Sequence, residues 1–408
     1  MAGDATIPLR RNRDFMLLWI TQVVSTVGTR ITSVAYPLLV LAITGSPTDA
    51  GVVGFAQTLP FLLLYLPAGA YVDRWNRRRM MILCEAGRAA ALGSIALAVM
   101  FDHVSLAQII VVAFVEGSLF VFFDLGEGAA LPHIVTTEQL PSALAQNQAR
   151  IQGADIVGQP LGGALFSVSR GLPFVADSIS YLLSLGGLLL IRAPFQQARS
   201  AVLGSQRLRA EIAEGLRAVW HQPFLRSAVG LVGGMNFVFN ALTLVMIVRA
   251  KDFGASAAVI GLMFMFFGVG GLIGAFIAPW VHRRFTSRTV VVAIAWFWCL
   301  QMASLVLMPN PWALGVLSGI GALGGAPFNV VINSEVYRVT PDRLLGRVRS
   351  TAKLVAWGSI PFGALVAGVL ISAFGAGPTF LVLAAGMLAV AIAASFSAGM
   401  RVIGTQGS

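Results

Sequence analysis

Long apolar stretches alternate with short polar breaks along almost the whole chain. Each stretch runs for roughly 20 residues or more, enough to carry a helix across a hydrocarbon core about 30 Å thick. Twelve such runs can be marked: residues 15–42, 49–72, 80–101, 104–127, 143–168 and 173–192, then 224–249, 257–281, 288–308, 312–337, 346–373 and 377–400. The pattern predicts an all-α membrane protein with twelve transmembrane helices in two six-helix, pseudo-symmetric bundles. One long polar stretch interrupts the series at its midpoint and carries Arg199, Arg207, Arg209, Glu211, Glu214 and Arg217. It divides the chain into an N-terminal bundle (1–192), a linker (193–222) and a C-terminal bundle (223–408). Within the linker AEIAEGLRAVW has helical periodicity and could lie along a membrane surface.

The short breaks decide orientation. Between Gly69 and Arg79 the chain reads GAYVDRWNRRR, a tight turn carrying Asp73, Arg74, Arg77, Arg78 and Arg79. Basic loops stay on the cytoplasmic side. Alternating the spans from there collects Arg10, Arg11, Arg13, Arg283, Arg284, Arg288, Arg338, Arg343 and Arg347 on that same side, and leaves Arg170, Arg249 and Lys251 outside. Both termini and the linker are therefore expected in the cytoplasm, in a multi-pass protein of the cell (inner) membrane. The opening MAGDATIPLRRNRDF is polar and the apolar run after it is too long for a signal-peptide core, so the first helix is expected to serve as the insertion signal.

Composition agrees: 57% of residues are hydrophobic, 11% are charged and the mean hydropathy is +0.82, too little polar material to coat a soluble fold. A net charge of +11 would suit nucleic acid, but the arginines sit in the breaks between spans and form no stripe beside aromatic readers, so no nucleic-acid partner is expected. Cys84 and Cys299 have neither disulfide nor metal spacing, and the four histidines, His103, His133, His221 and His282, lie far apart near span ends. No metal, cofactor or catalytic group is implied. A GxxxxGKS-type loop does not occur in the sequence, so energy would come from an ion or substrate gradient.

The two halves repeat. GQPLGG at Gly158–Gly163 is echoed by SIPFGA at Ser359–Ala364, which sets Pro160 against Pro361 and Gly162 against Gly363. The loop HRRFTSR likewise echoes the arginine loop of the first half. Homologous halves with a pathway between them are a common build of secondary transporters.

On the arginine loop, the chain resembles the major facilitator superfamily. RNRDFMLLW, PLLVLAITGSP, LPHIVTTEQLPSALAQNQ, EGLRAVWHQPFLR and VTPDRLLGRVRS extend the resemblance to its exporter branch, which contains enterobactin-type siderophore exporters and macrolide efflux proteins. The resemblance implies the major facilitator fold and alternating access. It implies Gly69, Asp73, Arg74, Arg77 and Arg78 as a cytoplasmic latch that helps hold the outward-open state. Asp73 could face the positive end of a neighbouring helix while the arginines take acidic or carbonyl partners; charge that merely sets topology accounts for Arg78 and Arg79 about as well. Gly158, Pro160, Gly162 and Gly163 resemble the antiporter motif of the fifth helix, with Gln159 interposed in the family's Gly-Pro pair. Helix packing by small residues is the plainer reading of Gly153 and these glycines.

Charges inside spans are costly and mark a pathway or coupling site by default. Arg30, Glu116 and Asp155 sit nearest mid-membrane. Glu116 is the first candidate for a proton-carrying carboxyl, able to load and unload as access alternates, against an ion pair with Arg30 or Arg150. Asp124, Glu127 and Glu335 fall nearer the cytoplasmic ends and suit gating or interfacial pairing, and Asp177 and Arg192 are read as solvated. The first, fourth, seventh and tenth spans line the cavity in this fold, which nominates Gln22, Tyr36, Phe120, Asn236, Phe239, Asn240, Phe328, Asn329 and Asn333 as substrate contacts. Amides mixed with aromatics suit an amphipathic organic molecule better than an inorganic ion. The expectation is a monomeric, proton-driven exporter of a small molecule such as a drug, antibiotic or siderophore. An importer of the same fold and a non-transporting receptor or scaffold are the rivals.

Overall fold

The computed structural model describes the backbone of residues 8–196, 214, 216–340 and 342–401, with the side chains of Asp73 and of residues 342–347 among those outside the description. The first half consists of α1 (Arg13–Thr44), α2 (Pro47–Arg74), α3 (Arg77–Met100), α4 (Leu106–Ile134), α5 (Leu140–Val168) and α6 (Leu172–Leu190). The second half holds α7 (Pro223–Asp252), α8 (Ala257–Arg284), α9 (Ser287–Leu305), α10 (Pro311–Ala322), α11 (Gly325–Val339), α12 (Asp342–Gly358), α13 (Ile360–Phe374) and α14 (Ala376–Phe396). Among the described residues, eleven spans are long and apolar enough to cross a bilayer. The remaining one, α5, has the length at 29 residues but carries Gln146, Asn147, Gln148, Arg150, Gln152, Asp155 and Gln159, which lower its hydropathy. Such a helix must keep those groups off lipid, and α5 packs between α1 of its own half and α8 of the other.

Short polar residues start the helices where the apolar runs begin. The side chains of Ser46, Asn76, Ser105, Ser256, Thr286 and Asn310 each accept from the backbone N–H three residues on, satisfying a donor that has no partner inside the helix. Pro47, Pro223 and Pro311 stand in first turns, where a missing N–H costs nothing. Two expected spans differ from their continuous prediction. The run over 312–337 is broken at Leu323–Gly324 into α10 and α11, and the run over 346–373 is broken at Ser359 into α12 and α13. Pro327 and Pro361 lie three and two residues past these breaks and have no N–H to continue the ladder, and Ser359 Oγ donates to Gly233 and Ala356 carbonyls at 2.7 and 3.0 Å.

The halves meet most closely at the end opposite the arginine loop. There α5 crosses α8 and α2 crosses α13 so closely that a Cβ on Gly163 would stand 2.9 Å from Gly261 Cα, and one on Gly51 would stand 3.0 Å from Gly368 Cα. Any side chain at these points would push the helices apart. Ser167 Oγ accepts from the Ala258 N–H at 2.9 Å and Thr48 shares a 2.8 Å hydrogen bond with Ser372 beside the two crossings. The internal repeat has a physical basis here. Gly162 lies against Ile31 of α1, and Gly363 lies against Phe237, Asn240 and Ala241 of α7, the corresponding first helix of the second half.

Candidate functional site

A cavity of about 260 Å³ lies between the halves just inside this closed end, lined by α1 and α2 with Gln159 of α5 on one side and by α7, Phe264 and Ala364 on the other. Its polar groups are Arg30, Ser33, Tyr36, Gln57, Thr58, Gln159, Asn240 and Thr243. The side-chain carbonyls of Gln159 and Asn240 are buried with no hydrogen-bond partner. One stands on each half, and both are acceptors that a guest with N–H or O–H groups would satisfy. Arg30 is held on the cavity wall by Asp155 of α5 at 2.7 Å.

Of the nominated contacts, Tyr36 and Asn240 line this cavity. Gln22 is buried instead among Glu85 and Ser184, at 3.3 and 2.6 Å. Asn236 donates to the Ala356 carbonyl at 2.8 Å and so ties α7 to α12. Phe239 and Phe328 pack on Trp298, with centroids 4.9 and 5.5 Å apart. Asn329 and Asn333 are exposed, the Asn333 side chain donating to the Asn329 backbone carbonyl at 2.8 Å. Phe120 lies beneath the Arg88 guanidinium.

Beside the cavity, inside the first half, is a buried charged cluster. Arg88 of α3 is its centre: its guanidinium lies 3.6 Å from Glu116 and 3.9 Å from Glu85, donates to Thr29 at 3.2 Å and to Tyr181, and stacks over the Tyr181 ring at 3.9 Å. Tyr181 donates to Glu116 Oε1 at 3.2 Å and Gln57, on the cavity wall, donates to Oε2 at 3.2 Å. Ser184 and Gln22 donate to Glu85. Asp177 is fully buried, taking hydrogen bonds from Thr32 at 2.7 Å and Ser180 at 3.0 Å. These contacts correct two expectations. Asp177 is not solvated, and the partner of Glu116 is Arg88, neither Arg30, which pairs with Asp155, nor Arg150, which pairs with Glu127 at 2.7 Å. Glu85 and Arg88 escaped the sequence reading because the alanines around them keep the third run apolar. Their spacing of three, which sets two opposite charges on one helix face, was the available signal.

Two arginines of the arginine loop reach backbone carbonyls. Arg77 donates to the Ala129 and Phe195 carbonyls at 2.8 and 3.2 Å, and Arg78 to those of Leu188 and Leu189 at the end of α6, at 3.1 and 2.7 Å. A cation at a helix C-terminus meets both orphan carbonyls and the negative end of the dipole. Arg74 is exposed and Gly69 half-buried, while the Asp73 side chain lies outside the described residues. Pro160 sits inside α5, with Gly158 against Arg30 and Gly163 at the crossing with α8.

A family profile described as transmembrane secretion effector matches residues 4–404. The chain belongs to that family, within the major facilitator superfamily. Relatives of the chain include the multidrug efflux pump Tap of Mycolicibacterium fortuitum, 27% identical over 385 residues with 92% of this chain and 93% of that one covered. Tap of Mycobacterium tuberculosis is 28% identical over 396 residues, covering 92% and 90%. Among solved structures, nucleoside transporter NupG superposes with a TM-score of 0.73 at 13% identity, covering 95% of this chain and 99% of that one. The D-xylose-proton symporter gives 0.69 at 15%, covering 95% and 98%. The fold is the expected one, that of a multi-pass major facilitator transporter.

Proposed function

We propose that this protein is a proton-driven exporter of an amphipathic organic small molecule. It works as a monomer in the plasma membrane by alternating access between the bundles 1–192 and 223–408, joined by the cytoplasmic linker 193–222. The observation that carries the reading is the juxtaposition of a cavity between the halves with a charged cluster one side chain away. Gln57 belongs to both, lining the cavity and bonding Glu116. In the cluster Glu85 and Glu116 share the guanidinium of Arg88, and a third carboxyl, Asp177, is fully buried nearby on hydroxyl donors. With all three ionised, two negative charges would lie uncompensated in the membrane, and protons are the means of removing them. Loading and unloading those protons from opposite faces is the coupling step, with Glu116 its contact to the cavity. Export follows from the relatives named multidrug efflux pumps.

Arg30 of the cavity wall and Asp155 form a second, more accessible pair, with Asp155 the second proposed coupling carboxyl. Asp73 is proposed to complete the latch: Asp73→Asn should cut transport with abundance unchanged, and Arg79→Ala should do much less. The test of the whole reading is accumulation of labelled amphipathic compounds in cells with and without the protein. Expression should lower accumulation and an uncoupler should restore it. A rise on expression that the uncoupler abolishes would make it an importer.

A further inference from the structure

Two helices of the first half face each other through stripes with a period of four. Gln57, Phe61 and Tyr65 line one side of α2, and Glu116, Phe120 and Asp124 line the facing side of α4. They meet as three rungs: Gln57 with Glu116 at 3.2 Å, Phe61 with Phe120 at a centroid distance of 5.7 Å, and Tyr65 donating to Asp124 Oδ2 at 2.8 Å. The ladder runs from the charged cluster toward the arginine-loop end. At its foot α12 of the other half brings in Lys353 and Trp357, also four apart. Trp357 stands edge-on to Tyr65 at 5.4 Å and tilted to Phe61 at 5.8 Å.

The result is a box with aromatic walls and one carboxylate, and it holds an ammonium. Lys353 Nζ lies 4.6 Å from the Tyr65 ring centroid, 4.4 Å from that of Trp357 and 3.4 Å from Asp124 Oδ2. Ring faces present negative potential, and such boxes recognise alkylammonium groups. The occupant is loosely held. Its ion pair is longer than the 2.7 Å of Arg150 with Glu127, and the side chains of Lys353 and Asp124 are 42% and 36% exposed against 8% and 12% for that structural pair. A tight ion pair would exclude a competitor; an exposed, lengthened one invites exchange.

We infer that the recess formed by Phe61, Tyr65, Asp124 and Trp357 is a binding site for an organic cation, with Lys353 as its tethered stand-in when no ligand is bound. The site deepens the export reading by assigning a charge class to one ligand. It also gives that ligand a mechanical consequence, since displacing Lys353 breaks the ion pair between α12 and α4 and leaves Trp357 on Phe61 and Tyr65 as the tie at this point.

The experiment is titration of the purified full-length protein with tetraphenylphosphonium and, as a size-matched anion, tetraphenylborate, followed by quenching of tryptophan fluorescence. Removing the resident raises the fraction of empty sites. Lys353→Met should therefore bind the phosphonium roughly 3- to 10-fold more tightly than wild type, and Lys353→Arg, which keeps a cation in place, should match wild type. Adding Asp124→Asn to Lys353→Met should abolish the gain, and adding Trp357→Phe should remove most of the quench. Unchanged phosphonium affinity in Lys353→Met, or an equal gain for tetraphenylborate, would overturn the inference; should that variant fail to fold, Lys353→Gln carries the same test. Failure of the export reading shows elsewhere, as no change in cellular accumulation of any compound, and leaves the binding result to judge the cage.

Discussion

The two halves share a helix plan but not an interior. Arg88 stands ten residues past Arg78 of the first arginine loop, and Trp298 stands ten residues past Arg288 of its second-half echo. The guanidinium of Arg88 reaches Thr29, Tyr181 and Glu116. The indole of Trp298 fills the corresponding place by packing on Phe239 and Phe328 and donating to the Gly321 carbonyl at 2.8 Å. One half keeps a titratable interior and the other an aromatic one. A repeat that conserves backbone packing can thus hold a buried charged cluster in one half and an aromatic cluster in the other.

The strongest way to break this comparison is to remove the two central side chains. Arg88→Met leaves buried carboxylates without their cation and should cost about 3–5 kcal/mol. Trp298→Phe loses one hydrogen bond and some volume, about 1–2 kcal/mol. Thermal unfolding in detergent measures both, and equal losses would mean that the charged interior is no more demanding than the aromatic one. Next in size is Glu116→Gln, which keeps the hydrogen bonds of Tyr181 and Gln57 in reach but cannot ionise. Gradient-driven efflux should stop while downhill exchange survives in vesicles; intact uphill efflux would move coupling to another carboxyl.

The seal between halves should respond less. Gly163→Val forces α5 from α8 and should disfavour the arrangement closed at that end by about 1–3 kcal/mol. Labelling of cysteines placed on either face should then report a shift toward openness at that end, and an unchanged pattern would show that the crossing bears no part in access. The smallest effect compares the loops. Arg78→Ala removes two bonds to the end of α6 and should cost about 1 kcal/mol. Arg288, whose contact with the Ser395 carbonyl is 3.5 Å, should cost less when replaced by alanine.

The membrane spans and the repeat were legible because both rest on composition along the chain: apolar length sets the spans, and glycines at close crossings recur where helices meet in both halves. Gly162 and Gly363 could be paired before any contact was known. The site was legible only in fragments. Tyr36 and Asn240 line the cavity from α1 and α7, whereas Phe239, the chain neighbour of Asn240 on α7, and Phe328 on α11 turn toward Trp298. Helix rotation decides between those outcomes, and it is set by packing. Ion-pair partners were least legible. Arg30 finds Asp155, Arg150 finds Glu127 and Arg88 finds Glu116, choices made by which helices are neighbours.

The backbone crossings at Gly163 with Gly261 and Gly51 with Gly368 bear on the entropy of the cycle. Side chains that meet across a closing seam lose rotamer freedom each time it shuts, up to about 1.5–2 kcal/mol for a long one. Glycine has no rotamers to lose. A seam made of main chain can therefore be dry and tight when shut without freezing any torsions at its points of contact, so closure at this end and reopening can lie close together in free energy.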